Sequence, residues 1–419
     1  MVKETLLHGD CLSELKRLEN NSVDSVVTDP PYGLSKEPDI VEVLTKWLAG
    51  EEYDHGHNGF MGKSWDSFVP HPDIWAEVFR VLKPGGHALV FAGTRTQDLI
   101  TISLRLAGFE VRDVIEWLYF SGFPKSHDVS KAFDRRAGAE RKVVGEYIHP
   151  RDKVPGSNGR NFGVADQGDD GRRKTDLITA PATELARKWD GWGTALKPAH
   201  EPIIVVRKPL IDADTGRKLT VTGCVEKYGT GAINIGASRI GDEEVRSSGE
   251  VSSAWRESEG RTDRQSPNPS VNKGRFPANI ATTEPDAFWS KYCNVTPQEL
   301  SKKASKKDRN SDWKGEEIEL GEKVTTDGRQ KPIDNAFNRG MRLHKNSHPT
   351  VKPTDLRAWL VRLVTPEGGT VLDPFAGSGS TLVAAKREGF GFIGIELMEE
   401  YIPIIEARTG VKADKQNQK

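Results

Sequence analysis

Cysteine is scarce in this chain. Only Cys11, Cys224 and Cys293 occur in 419 residues, far apart and without a C-x-x-C pair. That excludes a disulfide framework and a cysteine-based zinc site, so no metal is expected and a reducing cytoplasm is the default compartment. An excess of either charge is also missing: 60 basic residues meet 61 acidic ones, a net −1. A histone-like polybasic binder is thereby excluded, although a local basic patch is not. No apolar run approaches the roughly 18 residues that a membrane span needs, so no membrane partner is expected. The opening MVKETLLHGD lacks a basic stretch followed by an apolar one, which argues against a secretion signal.

What is there is an α/β pattern at both ends and a polar middle. Strand candidates are Thr5–His8, Ser25–Thr28, His87–Ala92, Val111–Tyr119, Pro202–Arg207, Thr370–Leu372 and Phe392–Ile395. Between them lie helical patterns: a Leu12, Leu15, Leu18 stripe behind Asp10, then Trp75–Leu82 (stopped by Pro84-Gly85-Gly86), Gln97–Leu106, Thr354–Val364 and Leu382–Arg387. Strands alternating with helices predict a parallel α/β sheet. The predicted boundaries run 1–122, 123–197 (a polar insertion), 198–236 (a return strand), 237–345, 346–410 and a polar tail, 411–419.

Two motifs carry chemistry. Asp29-Pro30-Pro31-Tyr32 follows directly on the strand Ser25–Thr28. Two prolines stiffen the turn and remove two N–H donors, leaving bare carbonyls, an acidic acceptor and an aromatic ring. That set suits a planar amine. Asp29 and the Pro30 carbonyl can accept its two N–H bonds while Tyr32 stacks on the ring. The second motif is Asp373-Pro374-Phe375-Ala376-Gly377-Ser378-Gly379-Ser380-Thr381, after a strand and before a helix. Its glycines let backbone approach a ligand closely, but the G-x-G spacing is not the dinucleotide G-x-G-x-x-G. Glu396 ends the next strand, where a carboxylate can accept both hydroxyls of a ribose. Read alone, each motif has an ordinary counterpart: a proline turn, a glycine turn, a solvated Glu.

Together the motifs resemble the DNA amino-methyltransferases that use S-adenosylmethionine (SAM). The order, with the Asp-Pro-Pro-Tyr motif ahead of the glycine-rich one, resembles the permuted β group. Further matches are His8-Gly9-Asp10-Cys11, Phe60-Met61-Gly62-Lys63, Trp65-Asp66, Gly193-Thr194-Ala195-Leu196-Lys197-Pro198 and His348-Pro349-Thr350-Val351-Lys352-Pro353. The resemblance implies a Rossmann-like sheet cut between its second and third strands, so that the chain's two ends close on one cleft. It implies catalysis by Asp29, Pro30, Pro31 and Tyr32 on a base flipped out of duplex DNA. It implies a SAM site from Asp373, Pro374, Phe375, Gly377, Gly379, Ser380 and Thr381, with Glu396 on the ribose and Asp10 and Cys11 beside the adenine. His348, Thr350 and Lys352 would close over the methionine carboxylate. Asp10 equally suits a helix cap. Asp-Pro-Pro-Tyr points to adenine N6, where Ser-Pro-Pro-Tyr would point to cytosine N4. The alternatives are that N4-cytosine activity and a non-catalytic SAM- or DNA-binding regulator.

DNA recognition falls to the inserts. Lys131–Lys174 holds eleven basic and seven acidic residues and suits phosphate contacts. Residues 237–345 are the candidate target-recognition region. Arg339, Arg342 and Lys345 form an acid-free run, and the mixed-charge stretch Glu299–Lys331 reads as surface or disorder. A homodimer and a cognate restriction nuclease are family expectations.

Overall fold

Strand-forming runs from the two ends of the chain become neighbours in one sheet. The computed structural model describes residues 2–34, 36–56, 66–119, 126–147, 176–247, 270–282, 294–295 and 351–415. The strands are β1 (Glu4–His8), β2 (Val23–Thr28), β3 (Leu82–Phe91), β4 (Glu110–Leu118), β5 (Val143–Tyr147), β6 (Asp176–Thr179), β7 (His200–Arg207), β8 (Ile240–Ser247), β9 (Ser270–Arg275), β10 (Ile280–Thr282), β11 (Asn294–Val295), β12 (Thr370–Asp373), β13 (Gly391–Glu396) and β14 (Ala413–Lys415). The helices are α1 (Cys11–Leu15), α2 (Ile40–Ala49), α3 (Pro72–Val81), α4 (Gln97–Leu106), α5 (Val129–Arg136), α6 (Glu184–Lys188), α7 (Val221–Tyr228), α8 (Thr354–Val364), α9 (Ser380–Arg387) and α10 (Ile402–Thr409).

The chain divides into two units, residues 1–121 with 199–419, and residues 122–198. The large unit holds a ten-stranded sheet in the order β11-β10-β4-β7-β3-β2-β12-β13-β1-β14. Every pairing is parallel except those of β7, which runs antiparallel to both β3 and β4. The predicted α/β class with a parallel-rich sheet is therefore what the chain forms.

Helices cover both faces, which is why the central strands read as near-continuous apolar runs. β2, VDSVVT, is buried along its whole length. One face packs Leu356, Leu360 and Val361 of α8, Leu382 and Ala385 of α9 and Ile405 of α10. The other packs Leu15 of α1, Trp75 and Val78 of α3 and Leu99, Ile100 and Leu104 of α4. So β12 sends its helix to one face and β2 sends its helix to the other. Counted from β12, the order β1-β13-β12-β2-β3 is the doubly wound 3-2-1-4-5, whose ligand crevice opens where neighbouring strands send their chains to opposite faces. That point lies between β12 and β2. Their lower ends are tied by Thr370 N donating to Asp24 Oδ2 (2.8 Å) and by the Ser25–Thr365 hydroxyl pair (2.8 Å).

Two local features go beyond the sequence pattern. The helix expected over Trp75–Leu82 runs from Pro72 to Val81, and Lys83-Pro84-Gly85-Gly86, whose last three residues read as its stop, lies inside β3, which begins at Leu82. The register jumps from Val23↔Leu82 to Ser25↔His87, so these four residues bulge out of the strand. Gly85 sits at φ +75°, and a Cβ there would lie 2.6 Å from Cys224 Sγ. The stretch set apart as a polar tail contributes β14, parallel to β1. Strand pairing uses backbone groups, so polar side chains do not forbid it at a sheet edge.

The small unit is built separately. Asp134 on α5 is buried, takes the N–H groups of Ala182 and Thr183, and pairs with Arg141 at 2.8 Å. β5 and β6 form its antiparallel hairpin.

Candidate active site

The two motifs meet at the switch point. β2 and β12 pair at Ser25↔Val371 and Val26↔Leu372, so both strands deliver their next residues to the same end of the sheet. Thr28 Oγ1 donates to Asp373 Oδ1 at 2.6 Å. Thr381 Oγ1 donates to the Val27 carbonyl at 3.2 Å. Tyr32 packs on the hydrophobic cluster that contains Ala376. Pro31 and Phe375 line one cavity of about 240 Å³ with Trp47, Tyr53, Phe68 and His71.

On the β12 side the glycine-rich turn is held tightly, with the N–H groups of Ala376 and Gly377 given to Ile395 and Glu396 of β13. Gly377 and Gly379 hold φ of +56° and +76°, a conformation that side chains oppose. Asp373 Oδ1 accepts from Phe375 N (3.2 Å), and burial pushes its carboxyl up although Arg357 works in the other direction. Helix α9 starts at Ser380, its N-terminus facing the turn. Arg408, buried on α10, donates to the Ser378 carbonyl (2.7 Å) and to the hydroxyls of Ser378 (3.2 Å) and Ser380 (3.1 Å). The turn is thus pinned from behind. Pro374 is buried between Asp373 and Phe375.

Glu396 stands at the end of β13. Its oxygens accept from Gly377 N at 2.7 Å and Met398 N at 2.8 Å. Burial pushes its carboxyl up to about 7, against the lowering pull of those N–H groups. Gly9 N bonds the Glu396 carbonyl at 3.0 Å, which brings Asp10 and Cys11 to the same strand end. Asp10 caps α1 through Ser13 N (3.0 Å), the bland role foreseen for it. Burial and the Asp10 charge push the Cys11 thiol up to about 12, so it is no nucleophile at neutral pH.

On the β2 side lies a buried charge cluster. Lys352 Nζ is 2.7 Å from Asp29 Oδ2, 3.1 Å from the Tyr32 hydroxyl and 3.2 Å from Glu201 Oε2. Arg357 of α8 reaches Asp29 at 3.4 Å and donates to Thr381 Oγ1 at 3.0 Å. Burial acts to raise the Asp29 pKa, but the two cations overcome it and hold the carboxyl below its ordinary value. Burial and the carboxylates of Asp29 and Glu201 push Tyr32 well up, so it stays a phenol. Asp66 accepts from Tyr32 N (2.8 Å) and Gly33 N (3.3 Å), and Thr96 Oγ1 donates to the Tyr32 carbonyl (2.6 Å), fixing the loop from both sides.

Lys352, which the resemblance sets over the methionine carboxylate with His348 and Thr350, stands against Asp29 in this structure. His348 and Thr350 lie outside the described residues, as do Phe60, Met61, Gly62, Lys63, Trp65, Arg339, Arg342, Lys345 and the stretch 299–331. Sequence reasoning passed over Glu201 and Arg357. Glu201 directly precedes the strand PIIVVR, where a lone acid reads as solvated. Arg357 sits in an amphipathic pattern and looks like a surface residue, yet it is 3% exposed.

The match to known proteins runs the length of the site. A family model described as DNA methylase, the N6/N4 class, matches residues 23–407. The chain belongs to this DNA methylase family. It is 23% identical over 427 residues to the type II methyltransferase M.HindIII of Haemophilus influenzae, covering 98% of this chain and 96% of that protein. It is 49% identical over 61 residues to M2.DpnII of Streptococcus pneumoniae, 15% of this chain and 23% of that protein. The solved structure of the PvuII DNA methyltransferase (cytosine-N4-specific) aligns at 13% identity and a TM-score of 0.40, over 99% of this chain and 87% of that one. This DNA methyltransferase uses SAM as its methyl donor. Among the described residues, no helix is long and apolar enough to cross a membrane, and no group of three His, Cys, Asp or Glu could hold a metal.

Proposed function

We propose that this DNA methyltransferase transfers the methyl group of SAM to the N6 amino group of adenine in duplex DNA, with the target base flipped into the crevice between β2 and β12. The observation that supports the reading is the hydrogen bond from Thr28 to Asp373, which ties the amine-accepting loop to the glycine-rich turn. The choice of adenine rests on Asp29 at the head of the Pro-Pro-Tyr motif. The spatial order 3-2-1-4-5 with a chain that starts on the third strand supports a circular permutation of the sheet.

The residues on the β12 side fit the cofactor. A buried carboxylate beside two left-handed glycines, with a helix N-terminus behind them, offers acceptors for ribose hydroxyls and N–H groups for a carboxylate. Glu396 would take the ribose, and Asp10 and Cys11 would border the adenine. Asp373, Pro374, Phe375, Gly377, Gly379, Ser380 and Thr381 would line the rest. When bound, SAM supplies a methyl group on a sulfonium, electrophilic without further activation.

The protein's own contribution is placement and field. Asp29 and the Pro30 carbonyl accept the two N–H bonds of the amine and turn its lone pair toward the methyl. An exocyclic amine is a poor nucleophile, because its lone pair is delocalised into the ring. Two acceptors favour a pyramidal nitrogen, and the ionised Asp29 stabilises the positive charge that grows there in a site shielded from water. Tyr32, a neutral phenol, stacks on the flipped base. No covalent intermediate is needed.

Asp29→Ala tests the assignment. Methyl transfer to unmethylated duplex DNA falls below detection while SAM binding by calorimetry stays within about twofold. Loss of both together would show that Asp29 supports the fold of the cofactor side, and would overturn its role as amine acceptor.

A further inference from the structure

Lys352 occupies the position that a target amine needs. Its ammonium donates to Asp29 and lies 5.1 and 5.2 Å from the ring centroids of Tyr32 and Phe91. A nitrogen held by a carboxylate beside aromatic rings describes this ammonium. It also describes the amine of a flipped base as that amine gains positive charge. Asp29 Oδ2 already receives both Lys352 and Arg357, and the side chain is 13% exposed. An incoming amine and the ammonium compete for one small acceptor.

A second anion stands within reach. Glu201, at the start of β7 and in neither motif, lies 3.2 Å from Lys352 Nζ and accepts the Tyr32 hydroxyl at 3.2 Å. Tyr119 also hydrogen-bonds it. Within this cluster two carboxylates balance two cations. If the ammonium shifts fully to Glu201, Arg357 stays with Asp29 and no buried charge is left alone.

We propose that Lys352 is an internal stand-in for the target amine, and that Glu201 is the positioning residue that receives its ammonium when the base enters. The proposal rests on the reading of Asp29 as the amine acceptor. It is a single shift of hydrogen bonds, with no bond made or broken. Without an anion at 201, the ammonium has Asp29 as its remaining carboxylate in the cluster, and the base must break a buried ion pair to enter.

The test compares Glu201→Gln, Lys352→Met and the double variant. Each is assayed with tritiated SAM and an oligonucleotide duplex carrying the site mapped by modified-base sequencing. Base capture is read separately from the fluorescence of 2-aminopurine at the target position. Glu201→Gln lowers kcat/KM for DNA about 30-fold, mostly through KM, and leaves SAM affinity unchanged. Lys352→Met raises the 2-aminopurine signal at subsaturating enzyme. The double variant recovers at least tenfold of what Glu201→Gln lost, because no ammonium remains to lock Asp29. Losses that multiply in the double variant would overturn the proposal. So would a weaker 2-aminopurine signal in Lys352→Met, a readout that does not require Glu201→Gln to fold. A tenfold or greater fall in SAM affinity in Lys352→Met would also overturn it, since the ammonium would then serve the cofactor. Failure of the wild-type enzyme to methylate the duplex would instead contradict the reading of the whole site.

Discussion

The proposed place of Glu396 on the ribose predicts that cofactor binding depends on pH in a definite direction. Its carboxyl, ordinarily at 4.5, is pushed up to about 7 by burial at the end of β13. Ribose hydroxyls are donors, so binding selects the ionised form. With a pKa of about 7, roughly 3% of the carboxyl is ionised at pH 5.5 and about 90% at pH 8. SAM affinity should therefore rise about 30-fold across that window and level off above it. Titration calorimetry at half-unit steps reads this directly, and Glu396→Gln should flatten the profile at the weak end. The unliganded fold moves the opposite way: a carboxyl whose pKa is raised on folding favours the fold at low pH, and that stability is lost as pH climbs from about 4.5 through about 7. A wild-type affinity that is flat, or that falls as pH rises, would refute the assignment of Glu396 to the ribose.

Other perturbations separate the two sides of the crevice. Tyr32→Ala removes the proposed stacking face, and base–aromatic stacking is worth about 1–3 kcal/mol per base, so KM for DNA should rise about 5- to 150-fold with SAM affinity intact; unchanged kinetics would exclude stacking. Arg408→Met removes three hydrogen bonds behind the glycine-rich turn. It should cost about 1.5–3 kcal/mol in thermal or urea unfolding and weaken SAM binding before it affects DNA binding. Gly394→Val should destabilise by about 1–3 kcal/mol, because even a Cβ at 394 would collide with Leu382 Cδ1 and press α9 away from the sheet. A melting point within a degree of wild type would show that α9 can yield.

Much of the sheet was legible because periodicity and turn chemistry agree there. β2, β12 and β13 are short and largely apolar with Pro or Gly close to their ends, and the family resemblance of their motifs already implied a cleft shared by the chain's ends. The Lys83–Gly86 bulge was not legible: Pro-Gly-Gly reads as a helix stop, and distant residues hold it as a strand insertion, Cys224 Sγ and Thr230 Oγ1 donating to the Pro84 carbonyl and the Lys208 backbone bonding Gly85 and Gly86. The sequence singled out the two motifs that the fold brings together, but not the residues that reach them from elsewhere. Glu201 and Arg357 arrive from a strand start and a helix face 172 and 328 positions beyond Asp29. Charge and spacing along the chain carry no sign of such an approach. Lys352 was picked out as functional from its charge, but only the fold shows which anion it faces.

The most direct measurement identifies the methylated product. Unmethylated bacterial DNA is incubated with the protein and SAM carrying a deuterated methyl group, then digested to nucleosides for mass spectrometry, with Asp29→Ala in parallel. The expected product is N6-methyl-2′-deoxyadenosine with the label in its methyl group, absent from the variant. Label on a ring carbon, or equal label in both samples, would contradict transfer to an amine held by Asp29.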